Sequence, residues 1–350
     1  MIIEINECAF SSGVDPALSS ALESSINAFK QGFHALIVTP QAMDLVENSA
    51  LGEHLKEGLR LAHGFWTEGQ GLRSKASRVI SITGDIAQDG LLDGSSYHVY
   101  KGSLDDHGIF REPSFVAEAL AADAKYIKVL LSLNLGLDEA ALRRLWRARP
   151  EQGGGGATHA YVERYIAGPT PVVIVCDHDG PASEPCGATA DRCLKEVVDL
   201  GIYSTRELAR AGGYADQRPN FGVRILGCHE LENLILPNMA QVLFLEAMND
   251  RAGRDRQELM VKLFPAFPNL DAEGARLWLD TDFKEIPDFG QALNSRSLST
   301  LSDWFNENDA NARSLRAAYK RDMSSAVFRA ACDAVVTDVW TVGARFGDLR

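Results

Sequence analysis

Three segments of this 350-residue chain carry acids where an apolar run stops. The sharpest is VVIVCDHDG, in which a valine-rich run enters Asp177 and Asp179. Side chains two apart in an extended chain point to the same side. Both carboxylates can then face one point beyond a strand's carboxyl end, where open α/β sheets place their ligands. Two carboxylates held close repel unless one is protonated or a cation bridges them. An all-oxygen site of this kind suits Mg²⁺ or Mn²⁺. The plainer alternative is a turn that Asp177 caps and Asp179 begins.

A second run, FGVRIL, leads into GCHELENLILP, with Glu230 and Glu232 again two apart and Asn233 next. Acids directly after an apolar strand are costly unless solvated, paired or metal-bound. A helix beginning at LENLILP would equally favour Glu230 near its N-terminal dipole. In the third segment, PSFVAEALAADAKYIKVL, Glu118 ends a short apolar stretch and Asp123 lies in the helical sequence that follows.

In this order the three segments resemble the Toprim domain of topoisomerases and primases. They are most similar to its nuclease branch, the OLD-type nucleases and related bacterial defence effectors. Glu118 matches the family's first glutamate, Asp177 and Asp179 match its DxD, and HELEN, with Glu230, Glu232 and Asn233, resembles the ELEN-type segment. The glycine loop Gly153 to Gly156 with Thr158 is similar to a loop that precedes the DxD strand in some members. The resemblance covers about residues 113–237. It departs from the family at Ala119, where a glycine is usual, and at His178 in the centre of the DxD.

The resemblance implies cleavage of phosphodiester bonds in DNA or RNA that depends on Mg²⁺ or Mn²⁺. Asp177 and Asp179 would hold the metal. Glu118 would hold a metal or act as general base, and Glu230 or Glu232 would complete a second metal site. It further implies a toxic effector in anti-phage defence, coupled to a separate ATPase. No G-x₄-GK[ST] motif occurs in the chain, so nucleotide-driven control would come from another protein.

The elements that must position these acids read as α/β. Residues 1–104 form a small unit: a strand at Ile2–Ile5, an amphipathic helix at Pro16–Lys30 and a strand at His34–Thr39. Helical sequence follows from Gln41 to about Ala62, then a β-branched run at Arg78–Thr83, with Val99 and Tyr100 closing the unit. Asp105–Pro113 reads as a linker. Residues 113–240 hold helical sequence at Leu120–Leu133 and Leu137–Ala148, and a loop whose Thr158 can cap the helix HAYVERYIA. A buried strand at Pro171–Cys176, a helix at Ala188–Leu200 and a strand at Phe221–Leu226 complete it. Strands alternating with helices predict a central parallel sheet flanked by helices. Residues 241–350 read as mostly helical, with Trp278, Trp304 and Trp340 as packing anchors.

Composition narrows the partners. Against 48 acidic residues stand 35 Lys and Arg, a net charge of −13. That argues against broad coating of nucleic acid but leaves room for a local basic groove. Arg143, Arg144 and Arg147 share one helical segment and suit either a phosphate backbone or a solvated face. Lys125 is a further candidate for phosphate. No apolar run approaches the about 18 residues a membrane helix needs, and MIIEINECAF lacks the features of a signal peptide. Six scattered cysteines read as reduced thiols, which suits the cytoplasm. Association with a second copy stays open.

Three other readings compete. A haloacid-dehalogenase-type phosphatase also begins with an apolar strand ending in DxD. Its later GDxxxD motif occurs here only upstream, at Gly84-Asp85 to Asp89. Zinc would need Cys176, His178, Cys186, Cys193, Cys228 and His229 at spacings that fit poorly. The last is a Toprim-like binding or regulatory subunit without catalysis.

Overall fold

The computed structural model describes residues 1–119, 121–153, 158–168, 170–247, 271–286 and 293–347. Leu120 and Gly154 to Gly156, which enter the reading above, lie outside the described residues. The first sheet contains β1 (Ile2–Ile5), β2 (Ala35–Val38), β3 (Val79–Thr83), β4 (Leu92–Asp93) and β5 (Ser96–Tyr100). Their order is β2-β1-β3-β5-β4, and every neighbouring pair is parallel except β4 with β5. β1, β2 and β3 are buried along their whole length; β2 is a continuous apolar run, while β1 and β3 bury the polar Glu4, Ser81 and Thr83 among apolar residues.

Helices α1 (Pro16–Lys30), α2 (Pro40–Glu47), α3 (Glu53–His63) and α4 (Trp66–Arg73) accompany this sheet. Asp15 accepts the Leu18 N–H at 2.8 Å and Pro16 opens α1, which fixes its start. The helical stretch expected from Gln41 to Ala62 is instead two helices. Asn48 and Ser49 turn back onto the carbonyls of Asp44 and Val46, and extended Gly52 opens α3.

The second sheet contains β6 (Ser114–Ala117), β7 (Arg149–Gln152), β8 (Val172–Cys176), β9 (Gly213–Tyr214) and β10 (Phe221–Ile225). The order is β7-β6-β8-β10-β9, with only β9 antiparallel. Its helices are α5 (Asp123–Leu135), α6 (Glu139–Leu145), α7 (Thr158–Ala167), α8 (Ala188–Asp199) and α9 (Arg206–Ala211). The helix expected at Leu137–Ala148 stops at Leu145, and the chain enters the polar strand RPEQ. Pro150 is tolerated there because β7 is an edge.

The remaining helices are α10 (Pro237–Val242), α11 (Ala272–Asp280), α12 (Ser295–Glu307), α13 (Asp309–Asp322) and α14 (Ala326–Gly343). α14 ties the two sheets together. Its Asp338 pairs with Arg224 of β10 at 2.6 Å and accepts from Ser77, just before β3, at 2.9 Å. The buried amino group of Met1 donates to Val342 O at 2.7 Å. One contiguous core therefore joins the first sheet, the C-terminal helices and one face of the second sheet. Along β8, Val173 and Val175 enter that core, while Val172, Ile174 and Cys176 enter a second core against α7 and α8. Trp278 and Trp340 are fully buried and Trp304 is partly buried, as expected of anchors. Among the described residues no helix is long and apolar enough to cross a membrane.

Candidate functional site

β6, β8 and β10 are adjacent and parallel, so their carboxyl ends lie side by side. The register pairs Val116 with Ile174 and Cys176 with Ile225. Glu118 follows β6 and Asp177 follows β8. The backbone N–H of Asp177 lies near enough to the Glu118 carboxylate to favour its charged form. Asp177 Oδ1 in turn accepts the N–H of Leu231 at 3.0 Å, at the start of the 3₁₀ turn Leu231–Leu234. This bond joins the segments after β8 and β10, and Glu118 is coupled to Asp179 and Glu230 electrostatically. Asp123, the first residue of α5, reaches back to accept the Ala119 N–H at 2.6 Å.

The acids act on one another through low-dielectric surroundings. Burial raises Asp177 well above the usual carboxylate range, with the charges of Glu118, Glu232, Asp123 and Glu230 adding to it. Burial raises Glu118 as well, opposed by the Asp177 N–H and reinforced by Asp179, Asp123 and Glu230. Glu232 is pushed up to about 7 and Asp123 to about 6, in both cases chiefly by burial. One cation answers this cluster. Lys284, in the segment after α11, pairs with Glu230, and Glu232 and Asp177 also hold its ammonium above its ordinary range.

The Asp177-His178-Asp179 segment departs from the extended geometry expected of it. Asp179 has φ 54°, the only positive φ of a non-glycine among the described residues. The backbone N–H groups of His178 and Asp179 both donate to His229 O, at 3.2 and 2.9 Å. The chain therefore turns at Asp179, and the two carboxylates do not share a strand face. Asp179 still bears on Glu118 electrostatically. Opposite it stands Gly187, where an added Cβ would run into the Asp179 side chain.

Asn233 holds the HELEN segment in place. Its Oδ1 accepts the Glu230 N–H at 2.9 Å, and its Nδ2 donates to Trp278 O at 2.8 Å and Thr281 O at 2.9 Å. Trp278 Nε1 returns a bond to Asn233 O at 3.0 Å. The end of α11 is thereby fixed against the acids, which brings Lys284 into reach.

Glu118, Asp177, Glu230 and Glu232 are thus linked electrostatically at the carboxyl ends of β6, β8 and β10, and Asp179 bears on them through Glu118. They do not share a ready-made coordination sphere: among the described residues, no three of His, Cys, Asp and Glu are grouped closely enough to hold a metal ion. The donor chemistry nonetheless fits a hard divalent cation. All five are carboxylates, and Glu118 Oε1 is buried with no hydrogen-bond partner. Sequence reasoning missed Lys284 and Gly187. Neither belongs to an acidic motif, and only tertiary packing brings them in.

The other motif candidates do not add to the acid cluster. Asp85 accepts from Ala87 N at 2.9 Å and Asp89 from Tyr100 N at 2.8 Å, both in loops of the first sheet. Cys176 and Cys193 are buried neighbours with sulfurs 3.9 Å apart, and Cys228 donates to Glu230 O at 3.1 Å. Burial raises the Cys228 thiol, so it behaves as a packed thiol. Lys125 pairs with Asp303 at 2.8 Å. No family model, curated protein or solved structure matches the chain.

Proposed function

We propose that this protein is a nuclease that hydrolyses phosphodiester bonds of DNA or RNA with Mg²⁺ or Mn²⁺. One observation carries the reading: Glu118, Asp177 and Glu230 follow three adjacent parallel strands, Asp177 accepts the Leu231 N–H, and a buried Glu118 oxygen has no hydrogen-bond partner. Glu118, Asp177, Asp179 and Glu230 are the residues that would hold metal. A bound divalent ion would supply charge neutralisation at the phosphate and a more acidic water. The chain contributes the rest. The Leu231 N–H and Asn233 fix the orientation of Asp177 and Glu230. Glu232 stands by as a second carboxylate, and Lys284 offers a cation to a non-bridging phosphate oxygen. The resemblance stated for the sequence extends this reading to a cytoplasmic effector of anti-phage defence governed by a separate ATPase.

The test is cleavage of supercoiled plasmid and of total tRNA with Mg²⁺ or Mn²⁺, beside an Asp177→Asn, Asp179→Asn double variant. Metal-dependent cleavage lost in the variant is the expected result, and the substrate cut names the nucleic acid. Cleavage undiminished in the variant, or persisting in EDTA, would overturn the proposal.

A further inference from the structure

A cleft of about 490 Å³ opens between α5, α6 and α12, away from the carboxylates. Its volume lies within the roughly 300–1,000 Å³ of small-molecule sites. Five cations line it: Lys125, Lys128, Arg143, Arg147 and Arg345. Glu139 is the one acid among the lining residues. In a protein of net charge −13 this concentration of positive charge is locally inverted. Val129, Leu142, Trp146 and Phe305, each largely buried, give it an apolar lining.

Lys128 lines this cleft together with Arg143 and Arg147. Lys128 pairs with no carboxylate among the described residues, and burial together with the neighbouring Arg143 lowers its ammonium below the ordinary range. Arg143 pairs with Glu139, Arg147 with Glu112 and Lys125 with Asp303, all through side chains that are substantially exposed. Exposed pairs of that kind are weak and exchangeable. Guanidinium groups offer paired donors that match phosphate oxygens. Like charges gathered over an apolar lining fit a ligand with an apolar planar body and at least two negative charges.

We infer that this cleft binds a nucleotide phosphate, with Lys128, Arg143 and Arg147 on the phosphates and the base over Trp146 and Phe305. The site is separate from the carboxylate cluster. Both involve α5, but Lys125 lies about 200° around the helix from Asp123, at about 100° per residue. The inference does not rest on metal-dependent cleavage. The nucleotide can be free or the end of a nucleic-acid chain, and the chemistry of recognition is the same.

The experiment is isothermal titration calorimetry on the full chain in EDTA, so that the carboxylates hold no metal. The probes are ADP, the dinucleotide pApA, uncharged adenosine and a 12-nucleotide single strand. ADP or pApA should bind at least tenfold more tightly than adenosine. Lys128→Glu and Arg143→Glu should each weaken binding at least tenfold with little change in melting temperature. Should either variant fail to fold, Lys128→Met gives the same reading through a smaller loss. The Asp177→Asn, Asp179→Asn variant should bind as wild type does. Binding of pApA and the 12-mer without ADP, with the same sensitivity to Lys128 and Arg143, assigns the cleft to a chain end. The inference is overturned if no nucleotide probe binds, if adenosine binds equally well, or if affinity follows the aspartates and not the cleft.

Discussion

Gly187 and Asp179 face each other so closely that a Cβ built on Gly187 would collide with the Asp179 side chain and lie 2.9 Å from its Oδ2. Gly187 opens α8 from an extended conformation, φ −62° and ψ 171°, that any residue can adopt. Its lack of a side chain is therefore a matter of space for Asp179 and not of backbone freedom. Gly187→Ala should displace the Asp177-His178-Asp179 loop. We expect at least a tenfold loss of the proposed nuclease activity, with a stability cost of about 1–2 kcal/mol, the usual penalty of overpacking. Activity assays beside urea unfolding check this, and an unchanged rate would remove Asp179 from the site.

The raised carboxyl groups of the cluster make stability depend on pH. Glu232 at about 7 and Asp123 at about 6 both stand above the ordinary carboxylate range. Between about pH 4 and pH 7 the folded chain therefore holds more protons than the unfolded one, and stability falls as pH rises through that window. For Glu232 the shift from 4.5 corresponds to on the order of 3 kcal/mol at full ionisation. In EDTA the melting temperature should drop from pH 5 to pH 8, and Glu232→Gln should flatten the drop. Mg²⁺ should restore stability at pH 8, by about 2.7 kcal/mol at one hundred times its dissociation constant. Differential scanning calorimetry reads all three. A wild-type profile that is flat or rises with pH would mean that the acids do not burden the fold.

Lys284 pairs with Glu230 and is influenced by Glu232 and Asp177. Lys284→Met removes that counter-charge without removing the stem's packing. The variant should melt lower than wild type in EDTA, because mutual repulsion among the acids grows. It should also need less Mg²⁺ for half of its thermal stabilisation, because the site's field becomes more negative. A titration of melting temperature against Mg²⁺ distinguishes this from a purely structural role, which would lower the melting temperature at every Mg²⁺ concentration and leave the midpoint unmoved.

What the sequence makes legible here follows from how local each signal is. VVIVC reads as a buried parallel strand because both of its faces enter cores, which leaves no polar alternation to find. Glu118 and Asp177 are legible as acids at the ends of apolar runs. The left-handed conformation of Asp179 is not, since it is bound up with a turn onto His229 O and with room left by Gly187. Lys284 lies 54 positions from Glu230 and arrives only because α11 docks through Asn233 and Trp278. β7 escapes notice because RPEQ is polar, contains a proline and is held at an edge.

Asn233 links the acids to α11, and its removal tests that link. Its side chain is buried and satisfies the Glu230 N–H and the carbonyls of Trp278 and Thr281. Asn233→Ala leaves all three without their partner, a loss of about 2–4 kcal/mol. Asn233→Asp keeps an acceptor for Glu230 N–H but loses both donors, and it adds a negative charge beside Glu230 and Glu232. Its deficit should therefore be larger at pH 8 than at pH 5, whereas that of Asn233→Ala should vary less. If Asn233 positions the acids and Lys284 as well as bracing the fold, Asn233→Ala should also need more Mg²⁺ for half-maximal cleavage under conditions where it remains folded. Urea unfolding at the two pH values and a Mg²⁺ titration of cleavage measure these effects separately. A stability change under about 0.5 kcal/mol would show that the HELEN segment is held by other contacts.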